Sequence, residues 1–111
     1  MSRRDDATTL RQMLDQAREI VAITSGRSAK EIQDDRLRQL ALLRLLEVRG
    51  EAARRLSPEW SAAHPDVPLR EIIGMRNWLI HAYDKVNLET LWRTVRDDEP
   101  RLVATLERLL R

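Results

Sequence analysis

The sequence has no cysteine and no phenylalanine, and it contains only two histidines, three glycines and four prolines in 111 residues. Without cysteine the chain forms neither disulfides nor thiolate metal sites, and two histidines alone make a structural zinc site unexpected. No apolar run is long enough to span a bilayer, and the first residues, MSRRDDATT, lack the apolar segment of a signal peptide. We therefore expect a cytoplasmic protein without a structural zinc site, and no cofactor is predicted.

The charged residues are numerous but nearly balanced, with 20 basic and 18 acidic side chains and a net charge of +2. Only Lys30 and Lys85 are lysines, so eighteen of the basic residues are arginine. Such a mixed surface permits contact with nucleic acid without indicating it. Arginine favours bidentate binding of carboxylate or phosphate, although genome composition explains its abundance equally well. The length suits one domain over residues 1–111.

Apolar residues recur at helical spacing almost throughout, which predicts an all-α protein. Short connections between the predicted helices favour an up-and-down bundle of four to six helices. The longest helix, the second, has an apolar arc wider than a one-sided surface helix needs, so we expect it to pack on two sides, within the bundle or across a subunit interface. The predicted helices cover about residues 6–24, 34–56, 58–63, 68 to 81 or 83, 88–96, and a last stretch that opens at Asp98 or Glu99 and runs to the C-terminus.

Local signals set the predicted boundaries of these helices. Gly26 is expected to end the first helix, and Ser28 with Glu31 predicts a capping box for a short turn. Ser57 precedes a proline and predicts the start of the short helix. The acidic residues of the 96–99 segment, followed by Pro100, are read as the cap of a separate last helix.

The segment GMRNWLIHAYD, residues 74–84, places polar groups within an apolar helical pattern. On a helical wheel Arg76 lies near the middle of the apolar arc, whereas His81 lies about 140° away on the polar side. A guanidinium aimed into an apolar face requires a carboxylate, a phosphate or a wet cleft. Either this helix ends or distorts near His81, or two copies of it meet and each supplies part of one site.

The same segment resembles the HepT-like toxins of the HEPN superfamily, which carry an arginine, four residues, a histidine, one residue and a tyrosine. Here these positions are Arg76, His81 and Tyr83, and the family's polar residue after the arginine is Asn77. The lead-in PLREIIGM, the segment RGEAARRLS, the LWRTV stretch and the leucine-rich last helix resemble the family as well, so that the similarity covers nearly the whole chain. The lead-in departs from the family at Leu69, where an aromatic residue is common.

This resemblance implies a homodimeric, metal-independent endoribonuclease whose active site lies in the dimer cleft. It also implies a toxin paired with a small nucleotidyltransferase antitoxin, which would transfer AMP to Tyr83. The functional residues implied are Arg76, His81 and Tyr83, with Asn77 in support.

The residue types fit cleavage of RNA through its own 2′-hydroxyl. Histidine exchanges protons near neutral pH, so His81 is assigned to proton transfer. Arginine stays protonated, so Arg76 is assigned to binding the scissile phosphate and stabilising its developing charge. The expected product end is a 2′,3′-cyclic phosphate. Asp84 could orient His81 or simply end the helix, and the sequence favours neither.

Two other classes of function remain open at this point. One is a HEPN-like module that binds a nucleotidyltransferase or nucleotides without cutting RNA, and the other is a plain helical dimerisation protein. A complete Arg76–His81 pair favours the nuclease, and an arginine in the apolar arc argues against plain dimerisation. Tyr83 can also be an ordinary core-edge residue with a hydrogen-bonded hydroxyl.

A few remaining side chains could contribute to a site, but ordinary structural roles account for them. His64 lies in a proline-flanked linker and is expected to be solvated. Glu51 and Arg55 have the spacing of a helical surface pair, with a role in the cleft left open. The tryptophans could stack on bases, but core or interface positions are expected for them; they are Trp60, Trp78 and Trp92.

Overall fold

Every regular element of the protein is an α-helix in the computed structural model, which describes the backbone of residues 3–81 and 88–111 and the side chains of residues 5–78 and 91–111. The predicted all-α class is therefore confirmed. None of the described helices combines the length and the apolar character that crossing a membrane requires. The helices are α1 (Arg3–Thr24), α2 (Ala29–Gln33), α3 (Arg36–Arg54), α4 (Pro58–Ala63), α5 (Leu69–His81) and α6 (Leu88–Leu109).

Two apolar clusters, one at each end of the bundle, show how the long helices run. The first cluster contains Leu10 of α1 and Leu106 of α6, and the second contains Ile20 of α1 and Leu91 of α6. Helix α1 therefore leads from the first cluster to the second, and α6 leads back. Helix α3 enters the second cluster before the first, and α5 begins in the first, so the four long helices alternate in direction, as the predicted up-and-down bundle requires.

Helix α3 occupies the middle of this arrangement, because it packs against both α1 and α5. This matches the expectation that the widest apolar arc packs on two sides. Leu42, Leu43 and Leu46 are buried. Near the start of the same helix, however, Leu37 is 80% exposed and Leu40 is 41% exposed, so part of the arc has no cover within the described part of the chain.

The predicted caps are confirmed where the structure describes them. Gly26 has a positive φ of 72° just after α1, a conformation that costs glycine little. At α2, Ser28 and Glu31 exchange side-chain-to-backbone hydrogen bonds of 3.2 and 3.3 Å, which completes the capping box. The Ser57 hydroxyl accepts a bond of 3.1 Å from the backbone of Trp60, with a proline at the first position of α4.

The predicted break before Pro100 is wrong, because α6 runs through the proline without interruption. A proline inside a helix lacks the N–H that would bond to the carbonyl four residues earlier, and this normally ends or kinks the helix. Here the apolar face continues across it, since Leu91, Val95, Leu102 and Leu106 are all buried. Burial of that face against the rest of the bundle outweighs the local cost of the proline.

The acidic residue just before the proline also differs from its predicted role as a cap. Glu99 is only 3% exposed and forms an ion pair with Arg49 of α3, which is equally buried. Burial lowers the pKa of Arg49 to about 10, so its guanidinium still carries its charge at neutral pH. A charge so deeply buried is tolerated because it is paired. Glu99 therefore ties α6 to α3.

The histidine of the predicted solvated linker is also packed more closely than expected. The ring of His64 stacks on that of Trp60, with the ring centroids 4.1 Å apart, and its Nδ1 lies 2.8 Å from the Trp60 carbonyl oxygen. Trp60 packs partly buried against the first apolar cluster, and Trp92 belongs to the second. Core positions are thus confirmed for these two tryptophans, whereas Trp78 is 38% exposed.

Candidate active site

The guanidinium of Arg76 is held between α5 and α3 by two hydrogen bonds. Its Nη2 donates to Oε1 of Glu51 at 3.2 Å, and its Nη1 donates to Oδ1 of Asn77 at 3.0 Å. The Arg76 side chain is 18% exposed, and that of Glu51 is 42% exposed. The structure thus supplies a carboxylate as the partner that an arginine in the apolar arc requires.

The expected surface pair between Glu51 and Arg55 is wrong. Glu51 is turned toward α5 and pairs with Arg76, whereas Arg55 donates from Nη2 to Oε1 of Gln12 on α1 at 2.9 Å. A spacing of four residues makes a helical pair possible, but each of these side chains has a partner on a neighbouring helix. The sequence shows the spacing and cannot show those partners.

Gly50, one residue before Glu51, lets the two helices approach closely at this point. A Cβ atom placed on Gly50 would overlap the Cβ of Arg76, would lie 2.7 Å from its Cγ, and would lie 3.3 Å from the carbonyl oxygen of Ile72. A residue larger than glycine is therefore incompatible with the present position of Arg76. Sequence reasoning missed this contact, and the signal was a glycine in the middle of the longest apolar helix.

The two hydrogen bonds of the Arg76 guanidinium do not use all of its N–H groups, so some remain to bind a ligand. A guanidinium carries five N–H donors. Nε is buried and has no acceptor among the described residues, so it cannot face solvent in this arrangement. Nη1 and Nη2 each use one N–H on the chain and keep one. The N–H group that remains on each of these nitrogens is of the kind with which arginine binds phosphate oxygens.

His81 is the last described residue of α5, and the helix is continuous from Arg76 to it. The segment between these two residues is regular, and the alternative that α5 ends or distorts near His81 stays a prediction, because residues 82–87 lie outside the described part of the chain. On a continuous helix they stay about 140° apart. The side chain of His81 lies outside the described residues, as do Tyr83 and Asp84 altogether, so their predicted roles remain predictions. Of the predicted site residues, the structure brings Arg76 and Asn77 together and adds Glu51.

A separate cleft of about 530 Å³ lies between α5 and α6. Its described lining includes Ile72 and Met75 of α5 and the buried pair of Arg49 and Glu99, but not Arg76. The Arg76 side chain, which is 18% exposed, is thus not part of this cleft. Within the described part of the chain, no three histidine or acidic side chains are grouped closely enough to hold a metal ion.

The sequence of the chain matches a known protein family. The family described as "Ribonuclease HepT-like" matches residues 13–109. The chain belongs to the HepT-like ribonuclease family. The predicted family is thereby confirmed, and with it the ribonuclease class of enzyme. Arg76, Asn77 and His81 all lie within the matched range.

Several members of the family are similar over most of the chain. A protein of Methanocaldococcus jannaschii whose name contains the term RNase is 32% identical over 107 residues, which are 96% of this chain and 98% of the relative. A protein of Thermococcus cleftensis whose name contains "ribonuclease HepT" is 41% identical over 75 residues, 68% of each chain. A third, from Caldanaerobacter subterraneus and also with RNase in its name, is 33% identical and covers 91% of this chain and 90% of the relative. No solved structure matches the chain.

Proposed function

We propose that this protein is an endoribonuclease that cleaves RNA without a metal ion, by attack of the RNA 2′-hydroxyl on the adjacent phosphate. The observation that carries the proposal is the Arg76 guanidinium. It is held at the surface of α5 with two N–H groups left for a phosphate, five residues before His81 on a continuous helix. Membership of the HepT-like ribonuclease family supports the same reaction. We also propose that residues 1–111 form a single domain and that the protein acts in the cytoplasm.

The proposed reaction assigns one proton transfer to each step. A histidine takes the proton of the 2′-hydroxyl, whose oxygen then forms a bond to phosphorus. The bond from phosphorus to the 5′-oxygen breaks, and a protonated group returns a proton to that oxygen. Arg76 binds the phosphate oxygens and stabilises the negative charge that develops on them. The products are a 2′,3′-cyclic phosphate and a 5′-hydroxyl, and His81 is the residue that moves the protons.

Cleavage of a short RNA in the presence of EDTA tests this proposal. The wild type should cleave, and His81→Ala should lose about 10²–10⁴-fold in rate, as is usual when a general acid or base is removed. His64→Ala is the matched control, because His64 stacks on Trp60 away from Arg76 and its loss should leave the rate unchanged. Equal rates for wild type and His81→Ala would refute the assignment. A wild type that binds nucleotides or a nucleotidyltransferase but cuts nothing would favour the non-catalytic module instead.

A homodimer with the site in its cleft completes the proposal. A continuous α5 keeps Arg76 and His81 on different sides of one helix, so residues from two copies facing one cleft would bring both to one phosphate. The exposed Leu37, Leu40 and Trp78 are apolar side chains of the kind that subunit interfaces cover. These exposed side chains and the angle of about 140° between Arg76 and His81 support the dimer.

Mixing two inactive variants tests the shared site. If each site takes Arg76 from one copy and His81 from the other, a reassorted mixture of Arg76→Ala and His81→Ala should regain about a quarter of the wild-type activity, since half of the dimers carry one intact site of two. Each variant alone is the control. A mixture that stays as inactive as its components, or a wild type that is monomeric by light scattering at micromolar concentration, contradicts the shared site.

We further propose that the protein is a toxin that a nucleotidyltransferase antitoxin silences by transferring AMP to Tyr83. AMP would add negative charge and bulk two residues from His81, where RNA phosphate has to bind. Incubation with the cognate nucleotidyltransferase and ATP, followed by mass spectrometry, tests this. The expected result is an AMP adduct that is lost in Tyr83→Phe, and an adduct on another residue would contradict the assignment.

A further inference from the structure

Two consecutive residues of α3 contact the Arg76 side chain of α5, and the proposed reaction uses neither of them. Gly50 leaves room for the first atoms of the Arg76 side chain, because a Cβ at residue 50 would overlap the Arg76 Cβ. Glu51 then accepts a hydrogen bond from the far end of the same side chain at 3.2 Å. The arginine is thus constrained by α3 at both its base and its tip.

Glu51 adds to what α5 alone can do for the guanidinium. Asn77, the neighbouring residue on α5, holds Nη1 but belongs to the same helix as Arg76 and moves with it. Glu51 holds Nη2 from a different helix, one that packs against both α1 and α5. Two acceptors on separate helices define the plane of the guanidinium, which one acceptor cannot do.

The pair is too exposed to be explained by stability alone. The Glu51 side chain is 42% exposed, and ion pairs at this level of exposure contribute little to folding. A guanidinium that must meet two phosphate oxygens loses much of its effect when it is displaced by about 1 Å. A restraint on its orientation therefore matters more to the reaction than to the fold.

We propose that Gly50 and Glu51 are positioning residues that fix the Arg76 guanidinium for the scissile phosphate. The kinetic part of this inference rests on the proposed ribonuclease activity, whereas the restraint on Arg76 does not. Glu51 moves no proton and touches no RNA in this role. It acts through Arg76, so its removal should lower kcat far more than it raises KM.

Single-turnover and steady-state cleavage of a short RNA measure that effect. Glu51→Ala should lower kcat about 10–100-fold with KM changed less than about 3-fold. Glu51→Gln keeps an acceptor oxygen at the same place and should recover most of the loss. Glu47→Ala, one turn earlier on α3 and paired with Arg44, is the matched control and should behave as wild type. An unchanged kcat in Glu51→Ala, or a change confined to KM, overturns the proposal.

A double-mutant comparison separates positioning from a general structural effect. In an Arg76→Ala background, Glu51→Ala should lower the single-turnover rate by less than about 2-fold, because the group through which it acts is already missing. A loss as large as that in the wild-type background would show that Glu51 acts independently of Arg76. That result would overturn the inference.

The arginine side-chain signal in an NMR spectrum provides a readout that needs no activity. The Arg76 Nε–H resonance is assigned by its loss in Arg76→Lys. It should shift, and rotation of the guanidinium should accelerate, in Glu51→Ala and in Gly50→Ala. Gly74→Ala is the matched control for the second variant, because a Cβ at Gly74 meets nothing within 4 Å. If Gly50→Ala does not fold, the Glu51→Ala spectrum alone shows whether α3 restrains the Arg76 guanidinium.

The two possible failures give different results. A wild type that cleaves no RNA would contradict the proposed function, while the NMR comparison would still show whether α3 restrains Arg76. An Arg76 resonance that is identical in wild type and Glu51→Ala would overturn the restraint, whatever the activity.

Discussion

Removing one partner of the buried ion pair between Arg49 and Glu99 should strongly destabilise the protein, because it leaves an unpaired charge in the interior. Both residues are 3% exposed, so neither charge gains solvent when the other is removed. Burial lowers the pKa of Arg49 to about 10, because the charged guanidinium is removed from water. Removing a charge from water costs several kcal/mol, which a paired carboxylate offsets. In Glu99→Leu nothing offsets it.

The expected losses are about 3–5 kcal/mol for Glu99→Leu, and the same order for Arg49→Met, because each leaves one buried charge unpaired. In the double variant Arg49→Met/Glu99→Leu both charges are replaced by apolar side chains. Its loss should be under about 1 kcal/mol, far below the sum of the single losses. Asp66→Ala, which breaks the exposed pair with Arg108, is the control and should cost less than about 1 kcal/mol.

Urea unfolding followed by circular dichroism at 222 nm measures these free energies. All variants are compared at one protein concentration, because a dimer would make stability depend on it. The reasoning would be refuted by a double variant as unstable as the sum of the single variants, since the pair would then not act as one unit. A loss below about 1 kcal/mol in Glu99→Leu would equally show that the charge of Arg49 is not buried.

Three further substitutions follow from the same structure, and thermal unfolding monitors each. Gly74→Ala should stabilise by about 0.5–1 kcal/mol, because the added methyl group lies in open space on a helix where glycine is unfavourable, and a lower melting temperature would contradict this. Pro100→Ala should stabilise by about 1–2 kcal/mol, since it restores a donor to the Arg96 carbonyl inside α6, and a loss of stability would show that the packing depends on the proline ring. Asp6→Ala should destabilise the protein by about 2–3 kcal/mol. The Asp6 carboxylate accepts hydrogen bonds from the buried backbone N–H and the hydroxyl of Ser57, at 3.0 and 2.7 Å, and the variant leaves both donors without it. An effect below about 0.5 kcal/mol would argue against that contact.

The helices and their caps follow from the sequence because their causes are local. Ser28 with Glu31 and Ser57 with the proline after it act within one turn of chain, so the pattern and the structure agree there. The last helix was predicted in two pieces because Pro100 was read locally. The wider spacing of apolar residues, which stays in phase on both sides of the proline, predicts the continuous helix that the structure shows.

The buried ion pair had the same kind of signal in the sequence. Glu99 lies in phase with Val95 and Leu102 on the buried face of α6, just as Arg49 lies in phase with Leu46 and Ala53 on α3. Each is a charged residue on an apolar stripe. The wheel argument that singled out Arg76 applies equally to Arg49, but which carboxylate pairs with which arginine depends on how the helices meet in space.

The sequence predicts candidate residues for the site but not their contacts. The motif around Arg76 and its resemblance to a family indicate phosphate binding, and comparison confirms the family. The partnership with Glu51 spans 25 residues of sequence and depends on the approach of two helices at Gly50. No periodicity within one helix contains that information.

Three consecutive residues of α3 each contact a different group on a neighbouring helix. Arg49 pairs with Glu99 of α6, Gly50 lies against the base of the Arg76 side chain on α5, and Glu51 pairs with the Arg76 guanidinium. Because consecutive residues lie about 100° apart around a helix, turning α3 about its axis would break all three contacts together. Slow motions of this segment are therefore suppressed, and its backbone amides should exchange with deuterium among the slowest in the protein. If Arg76 binds the scissile phosphate as proposed, this turn of α3 would hold its guanidinium in place before RNA binds.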